Sequence, residues 1–582
     1  MFGKILEIDE NKVIIENAKK ETHSEFMNCH IIFEEPSKKT VGEIVKMDDN
    51  LINVLLIGEI ENNVFSAGVV KKPATNAIIR IINVGELELI IGKNEPNKGY
   101  LPIGKSSIYK TFNISIPINS FFANHSAIIG NTGSGKSCGV SRILENLFIN
   151  NPNKPVNSHF IIFDAYGEYK KSFNKLNTIE GLGFKKYTTK VETEDEELLK
   201  IPPYLLETDD LAILLSATDS TQLPVLEKTL KLVYIFTSTD ERMKEYKNDI
   251  IAKCLLDILT SGKNGSQIRD QIIAVLSHYN TEDLNLDSII KQPGYDRTLK
   301  QCLLIDDQGK INAILLVTEF LHQFEKVNLD NIVMGEGFTY TLNDLYYALE
   351  FALISEGTLN SNNQYDKNNI LKTRLQTIIN SDYSNIFDIN EYIDKDLYVK
   401  NFFDKACLVD VNLNHVDDRF AKIITKLISK ILFTYTTGLT DRGSYSINLV
   451  LEEAHRYVQN DNDINIIGYN IFDRITKEGR KYGTLLTFIT QRPSELSTTA
   501  LSQCSNFIVF RLYHPKDFEI VKDLSTNVNN ETLEKLKSLN PGTALVFGTG
   551  FKVPLLTKLE LPTIMPESTS VDLEKIWYTT SN

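Results

Sequence analysis

One eight-residue stretch constrains this chain more than any other. Gly130-Asn131-Thr132-Gly133-Ser134-Gly135-Lys136-Ser137 matches G-x-x-x-x-G-K-[ST] in full. Its flanks are the ones such a loop requires. The run SAIIG before it reads as a buried strand, and CGVSRILENLF after it carries Val140, Ile143, Leu144 and Leu147 at helical spacing. Glycines let backbone N–H groups turn inward around phosphate, and the start of the following helix adds a favourable dipole. The loop is therefore read as phosphate-binding, with Gly130, Asn131, Thr132, Gly133, Ser134, Gly135, Lys136, Ser137 and Cys138 as nucleotide-contacting residues. Lys136 is expected to reach the β- and γ-phosphates of ATP, and the Ser137 hydroxyl to ligate Mg²⁺.

A loop of this kind needs a second, acidic strand end. The segment INLVLEEAH (Ile447 to His455) supplies an apolar strand closing on two carboxylates. Glu452 is expected to hold Mg²⁺ through water and Glu453 to polarise the attacking water. Most phosphate-loop enzymes place Asp first here, so Glu452 is a departure. TLLTFITQRP (Thr484 to Pro493) is a buried strand ending on Thr490, Gln491 and Arg492, a position that suits a sensor of the γ-phosphate. Gln491 is a candidate catalytic residue and Arg492 a candidate nucleotide contact. Just upstream, KEGRKYG places basic groups in what reads as a glycine-flanked turn.

The rest of the chain divides around these motifs. Residues 1–118 read as all-β, a small barrel or sandwich, from short apolar runs such as KILEI, KVIIEN, INVLLIGEI and LELIIG between turn signals. Lys93 to Ser107, dense in Pro, Gly and Asn, reads as an exit linker. Residues 119–194 and 401–562 alternate buried strands with helices, which means a parallel α/β sheet covered on both faces. Residues 195–400 lose the strand signal and read as a helical insertion. In NDIIAKCLLDIL the positions Ile250, Ile251, Cys254, Leu255, Ile258 and Leu259 form one apolar face. Residues 563–582 are left as a tail.

Composition excludes several classes. The six cysteines show no CxxC spacing, which argues against a disulfide framework or zinc site and fits a reducing compartment. No signal peptide and no run of 18 apolar residues is found, so a soluble, cytoplasmic protein without membrane contact is expected. The histidines, His23, His159 and His455 among them, have no metal-ligand spacing. The net charge of −14 leaves room only for a local basic footprint on nucleic acid.

In order, GNTGSGKS, a strand ending in DAYGEY, one ending in EEAH, then KEGRKYG and TQRP resemble the HerA family. The β-rich start and the closing LNPGTALVFG extend the resemblance over most of the chain. It implies a homo-hexameric ring whose subunits each carry an N-terminal β-barrel and a RecA-like P-loop motor domain with a helical insertion. It also implies ATP-driven helicase or translocase movement along double-stranded DNA through a central pore. A partner nuclease or effector would work alongside, in DNA-end processing or antiviral defence. By the same resemblance Asp164 sits near the nucleotide and Arg480 is a finger reaching into a neighbour's site, with Arg492 the runner-up. FtsK and the conjugative coupling ATPases share this motor but usually carry transmembrane segments. The competing reading is a hexameric scaffold that assembles and regulates an effector, with hydrolysis secondary. A pore lined by Lys and Arg would favour the motor.

Overall fold

The structure, a computed structural model, describes residues 2–9, 11–20, 24–92, 99–326, 337–357, 362–389, 391–525, 528, 530–568 and 573–578. The chain forms two compact units. Residues 1–197, 399–460 and 471–582 make the first, and 198–398 with 461–470 the second.

The first unit opens with β1 (Phe2–Asp9), β2 (Lys12–Asn17), β3 (His30–Glu34), β4 (Lys39–Met47), β5 (Leu51–Glu61), β6 (Val64–Ala67) and β7 (Ile78–Ile81). They form one antiparallel sheet in the order β1-β2-β5-β4-β3-β7, with β6 on β5. In β5 every second residue is buried, so Ile52, Val54, Leu56 and Ile60 face the core as period-2 patterning requires. The end strands β1 and β7 approach each other without a ladder among the described residues, so the barrel expected here is a curled, open half-barrel.

Two expectations for this region change. LELIIG, read as a strand, lies in a helix, Val84–Ile91. Asn83 and Glu86 close a reciprocal capping box at its start, and Leu87, Ile90 and Ile91 are buried at helical spacing. Of the expected linker, residues 93–98 lie outside the described residues, as does His23. The remainder is β8 (Tyr100–Ser106), which with β9 (Asn113–Pro117) belongs to the large sheet of the first unit. The half-barrel therefore ends well before residue 118.

That large sheet contains β8, β9, β10 (Ser126–Ile129), β11 (His159–Asp164), β12 (Phe184–Thr188) and β13 (Glu197–Leu198). Numbering passes through β14 (Ile289–Ile290) and β15 (Arg297–Thr298), a short antiparallel pair of the second unit. It resumes with β16 (Leu408–Asn412), β17 (Ile447–Leu451), β18 (Thr484–Thr490), β19 (Asn506–Val509), β20 (Thr543–Gly548) and β21 (Leu555–Leu559). The twelve strands run β13-β12-β16-β11-β17-β18-β10-β19-β20-β21-β8-β9. From β12 to β19 the pairing is parallel, and from β19 to β9 antiparallel. All residues of β10, β16 and β17 are buried, as expected of parallel strands covered on both faces. One apolar cluster joins this sheet to the half-barrel, from Ile128, Phe160 and Ile508 to Ile32, Val41 and Phe65.

In the second unit the helix Glu241–Thr260 buries Ile250, Ile251, Cys254, Leu255, Ile258 and Leu259 on one face. Among the described residues no helix is long and apolar enough to cross a membrane.

KEGRKYG is not a turn. It ends the helix Ile471–Tyr482, with Gly479 buried inside and Gly483 (φ 86°) just beyond. Gly479 is required by contact rather than by backbone freedom, because a Cβ there would stand 2.3 Å from the Thr484 carbonyl oxygen. Gly479→Ala should therefore cost about 1–3 kcal/mol, the usual penalty of overpacking. Gly438→Ala, where a Cβ meets nothing within 4 Å, should stay within about 0.5 kcal/mol. Thermal unfolding of both variants checks this, and equal shifts would contradict it.

Candidate functional site: a phosphate loop facing three carboxylates

Strand order brings the motifs to one edge. β10 lies between β18 and β19, β17 lies beyond β18, and β11 beyond β17. Because these strands are parallel, the phosphate loop, Gln491, the acidic pair and Asp164 all emerge from their carboxyl ends, where open α/β sheets place ligands.

The loop is shaped by its glycines. Gly133 (φ 70°) and Gly135 (φ 106°) take left-handed conformations, and Gly135 caps the helix Lys136–Glu145. At Gly130 a Cβ would lie 2.6 Å from Phe510 Cβ. The loop is tied to its surroundings through backbone bonds from Gly130 N to Thr490 O (3.1 Å), Asn131 N to Arg511 O (2.9 Å) and Gly542 N to Ser134 O (2.8 Å). Lys136 is buried and donates to the carbonyls of Gly130 (2.8 Å) and Asn131 (3.3 Å). Burial holds its ammonium below the usual lysine range, opposed by Glu453, Glu452 and Glu168. Cys138 is half-buried beside the loop, and burial raises its thiol.

β17 delivers the acids. Glu452 is buried, accepts a hydrogen bond from the Tyr169 hydroxyl (2.8 Å), and is pushed up to about 8 by burial and by the neighbouring Glu453. Glu453 has φ 47°, a left-handed conformation that costs a non-glycine residue roughly 1–3 kcal/mol and is characteristic of functional sites. It lies against His455, whose Nδ1 is 3.2 Å from Glu453 Oε2 and 3.2 Å from Thr490 Oγ1. The angle to Glu453 makes no hydrogen bond, and Oε2 is buried without a donor among the described residues. The Gln491 Oε1 accepts from Thr132 Oγ1 at 2.5 Å, joining β18 to the loop.

Three further expected residues take these places. Asp164 is fully buried, and its carboxylate accepts from the N–H groups of Tyr166 (3.2 Å), Gly167 (2.8 Å) and Tyr169 (2.8 Å). It shapes the DAYGEY turn and is pushed up to about 6 by burial. The exposed Arg492 guanidinium is held by Glu495 at 2.9 Å. Arg480 is exposed on the helix Ile471–Tyr482 and faces His125, which precedes β10. It stands at the amino ends of the strands, separated from the phosphate loop by the length of β10, roughly 13 Å for four residues.

An open cleft of about 870 Å³ is lined by Thr132, Lys136, Ser137, Glu452, Glu453 and, unforeseen, Glu168. That volume lies in the ~300–1,000 Å³ range of small-molecule sites. Its far wall is Pro541, Gly542, Lys558, Leu559 and Leu561. Glu168 and Pro541 fall in the DAYGEY and LNPG segments, whose sequence carried no chemical signal of its own. The donor set fits a nucleotide with Mg²⁺: Ser134 Oγ and Glu453 Oε2 are buried without a hydrogen-bond partner among the described residues, and the Lys136 ammonium faces three carboxylates.

These features are those of a P-loop ATPase. Residues 101–314 match the family model of the helicase HerA central domain. A probable helicase of Methanocaldococcus jannaschii is 25% identical over 508 residues, covering 86% of this chain and 76% of that protein. The DNA double-strand break repair helicase HerA of Pyrococcus furiosus is 22% identical over 479 residues, covering 81% and 71%. Among solved structures the bacterial conjugative coupling protein TrwB covers 84% of this chain and 95% of its own at 10% identity, with a TM-score of 0.43. The chain is similar to the HerA helicases over most of its length.

A buried carboxyl raised from its ordinary 4.5 to about 8 is protonated in the folded chain while the unfolded chain is already ionised. Stability from this group therefore falls as pH rises from about 4.5 to 8. Glu452→Gln keeps an acceptor for Tyr169 and cannot ionise. Without nucleotide or metal, its gain in Tm over the parent should grow from pH 5 to pH 8. A gain independent of pH would contradict the assignment.

Proposed function

We propose that this chain is an ATP-driven motor on double-stranded DNA, working in the cytoplasm as a homo-hexameric ring of RecA-like subunits. The half-barrel stands at the start of each subunit, residues 119–194 and 401–562 form the motor core, the 195–400 segment is the helical insertion and 563–582 a tail. A partner nuclease or effector completes the machine, in DNA-end processing or antiviral defence. The names carried by its relatives support the DNA-handling part of this reading.

The carrying observation is the division of the site. Lys136, Glu452, Glu453 and Gln491 converge at the carboxyl ends of the strands, while Arg480 stands at the opposite edge and is exposed. A subunit so built holds phosphate and activates water alone, and needs an arginine from elsewhere for transition-state charge.

Lys136 exchanges the Gly130 and Asn131 carbonyls for the β- and γ-phosphate oxygens. Bound at the Ser137 hydroxyl and, through water, at Glu452, Mg²⁺ would neutralise phosphate charge. Glu453 Oε2, lacking a protein donor, accepts a hydrogen bond from the attacking water and draws its proton as the new oxygen–phosphorus bond forms. The bond to the ADP oxygen breaks in line with it. Gln491, fixed by Thr132, orients that water or the γ-phosphate. In a ring, Arg480 of one subunit faces the γ-phosphate held by the next.

ATP hydrolysis measured with and without duplex DNA, at stated salt, tests this. The parent chain should be stimulated by duplex. Glu453→Gln should keep nucleotide bound and lower kcat by about 10²–10⁴. Hydrolysis indifferent to DNA would remove the motor reading, and full turnover in Glu453→Gln would remove the assignment of the base.

A further inference from the structure

An arginine offered to a neighbouring subunit acts only where its own helix is firmly held. Arg480 is exposed, so its position depends on what lies beneath the helix Ile471–Tyr482. Two contacts are made there. Gly479 sits directly on the Thr484 carbonyl, at the start of β18. One turn before Arg480, the Thr476 backbone lies beside the ring of His125, which Arg480 also faces.

His125 is buried and stands immediately before β10. Its Nδ1 accepts from Leu486 N at 3.0 Å, and its backbone oxygen accepts from Ser505 N at 2.9 Å. The ladder between β10 and β18 starts at Ser126 and Thr487, so the imidazole adds one more link to β18 by side chain. Because Nδ1 accepts, Nε2 carries the proton, and it is buried without a hydrogen-bond partner among the described residues. Burial, with a further push from Arg480, holds the ring down to about 4. It therefore stays neutral, with one acceptor edge and one donor edge.

β10 and β18 run from this point to the phosphate loop. β10 ends at Ile129, and Gly130 opens the loop. β18 ends at Thr490, whose carbonyl accepts from Gly130 N, and the next residue, Gln491, accepts from the Thr132 hydroxyl. The same two strands thus carry phosphate contacts at one end and the Arg480 helix at the other, with His125 at the joint. Packing alone would be served at less cost by an apolar side chain, because a buried N–H left unpaired is unfavourable. We propose that His125 is the positioning residue for Arg480, tying the last turns of the helix Ile471–Tyr482 to the strand that leads into the phosphate loop. The proposal rests on the reading of Arg480 as the arginine given to a neighbouring site.

ATP binding and hydrolysis by the full chain, and by co-assembled rings with mixing verified by mass, test it. His125→Asn places an amide oxygen near the position of Nδ1, so Leu486 keeps an acceptor, while the far edge of the ring is lost. It should bind ATP as the parent does and lower kcat about tenfold to a hundredfold, as a small misplacement of a charge-stabilising group does. Parental kcat, or weakened ATP binding, would overturn the proposal. Co-assembly locates the defect. With Lys136→Ala subunits, whose Arg480 is correctly held, the mixture should exceed either variant alone. With Arg480→Ala subunits it should stay at the average of the two. Recovery with Arg480→Ala, or with neither, would place the effect in the variant's own phosphate loop or in its general stability, and would overturn the proposal. That pattern decides even where the variant lowers Tm, since rings of verified composition are compared. If Arg480→Ala alone turns over like the parent, the reading of Arg480 itself fails, and that outcome is separate from the others.

Discussion

Burying one ammonium among three carboxylates is the condition on which the nucleotide cleft depends. Lys136 faces Glu168, Glu452 and Glu453 in a place largely removed from water. The local excess is negative, and desolvation acts against every charged form present. Glu452 responds by rising to about 8 and Lys136 by falling from its ordinary range. Such a cleft favours a divalent cation and repels a naked polyanion, so cation and nucleotide are expected to enter together. The protein keeps the arrangement tolerable with hydrogen bonds: Tyr169 donates to Glu452, and the loop carbonyls accept from Lys136.

The same cleft shows where backbone strain is concentrated. Glu453 is left-handed without being glycine, and the strand before it is wholly buried, so the sheet holds the residue in place. β17 ends at Leu451, and the Glu453 carboxylate lies beside His455, which in turn reaches Thr490. The loop across from it uses glycine where contact demands it, at Gly130 against Phe510 and at Gly135 against Gly542. Asp164 does comparable work one strand further on, bracing the turn that presents Glu168 and Tyr169.

Much of this was legible in the sequence because it is local. The phosphate loop, the strand ahead of it and the helix behind it are contiguous, and β17 and β18 are continuous apolar runs closing on polar residues. What was not legible depends on tertiary context. LELIIG has no alternation and no helical signal until Asn83 and Glu86 are seen to cap it. The Lys93–Ser107 segment looks like a linker by composition, yet Tyr100–Ser106 pairs with β21, some 450 residues on in the chain. Gly479 reads as a breaker but is an inside contact with Thr484. Glu168 lies in DAYGEY, which names no chemistry for it, and Leu561 lies in no motif; only the folded cleft brings them together.

The account turns on a site divided between two ends of the sheet, with Arg480 unable to reach the phosphate loop of its own chain. Hydrolysis by mixed rings tests that most directly. Arg480→Ala and Lys136→Ala subunits are each assembled alone and then co-assembled, with mixing verified by mass. Each variant alone should be inactive, and the mixture should recover activity wherever an intact Lys136 adjoins an intact Arg480. Verified mixed rings with no recovery would contradict the account.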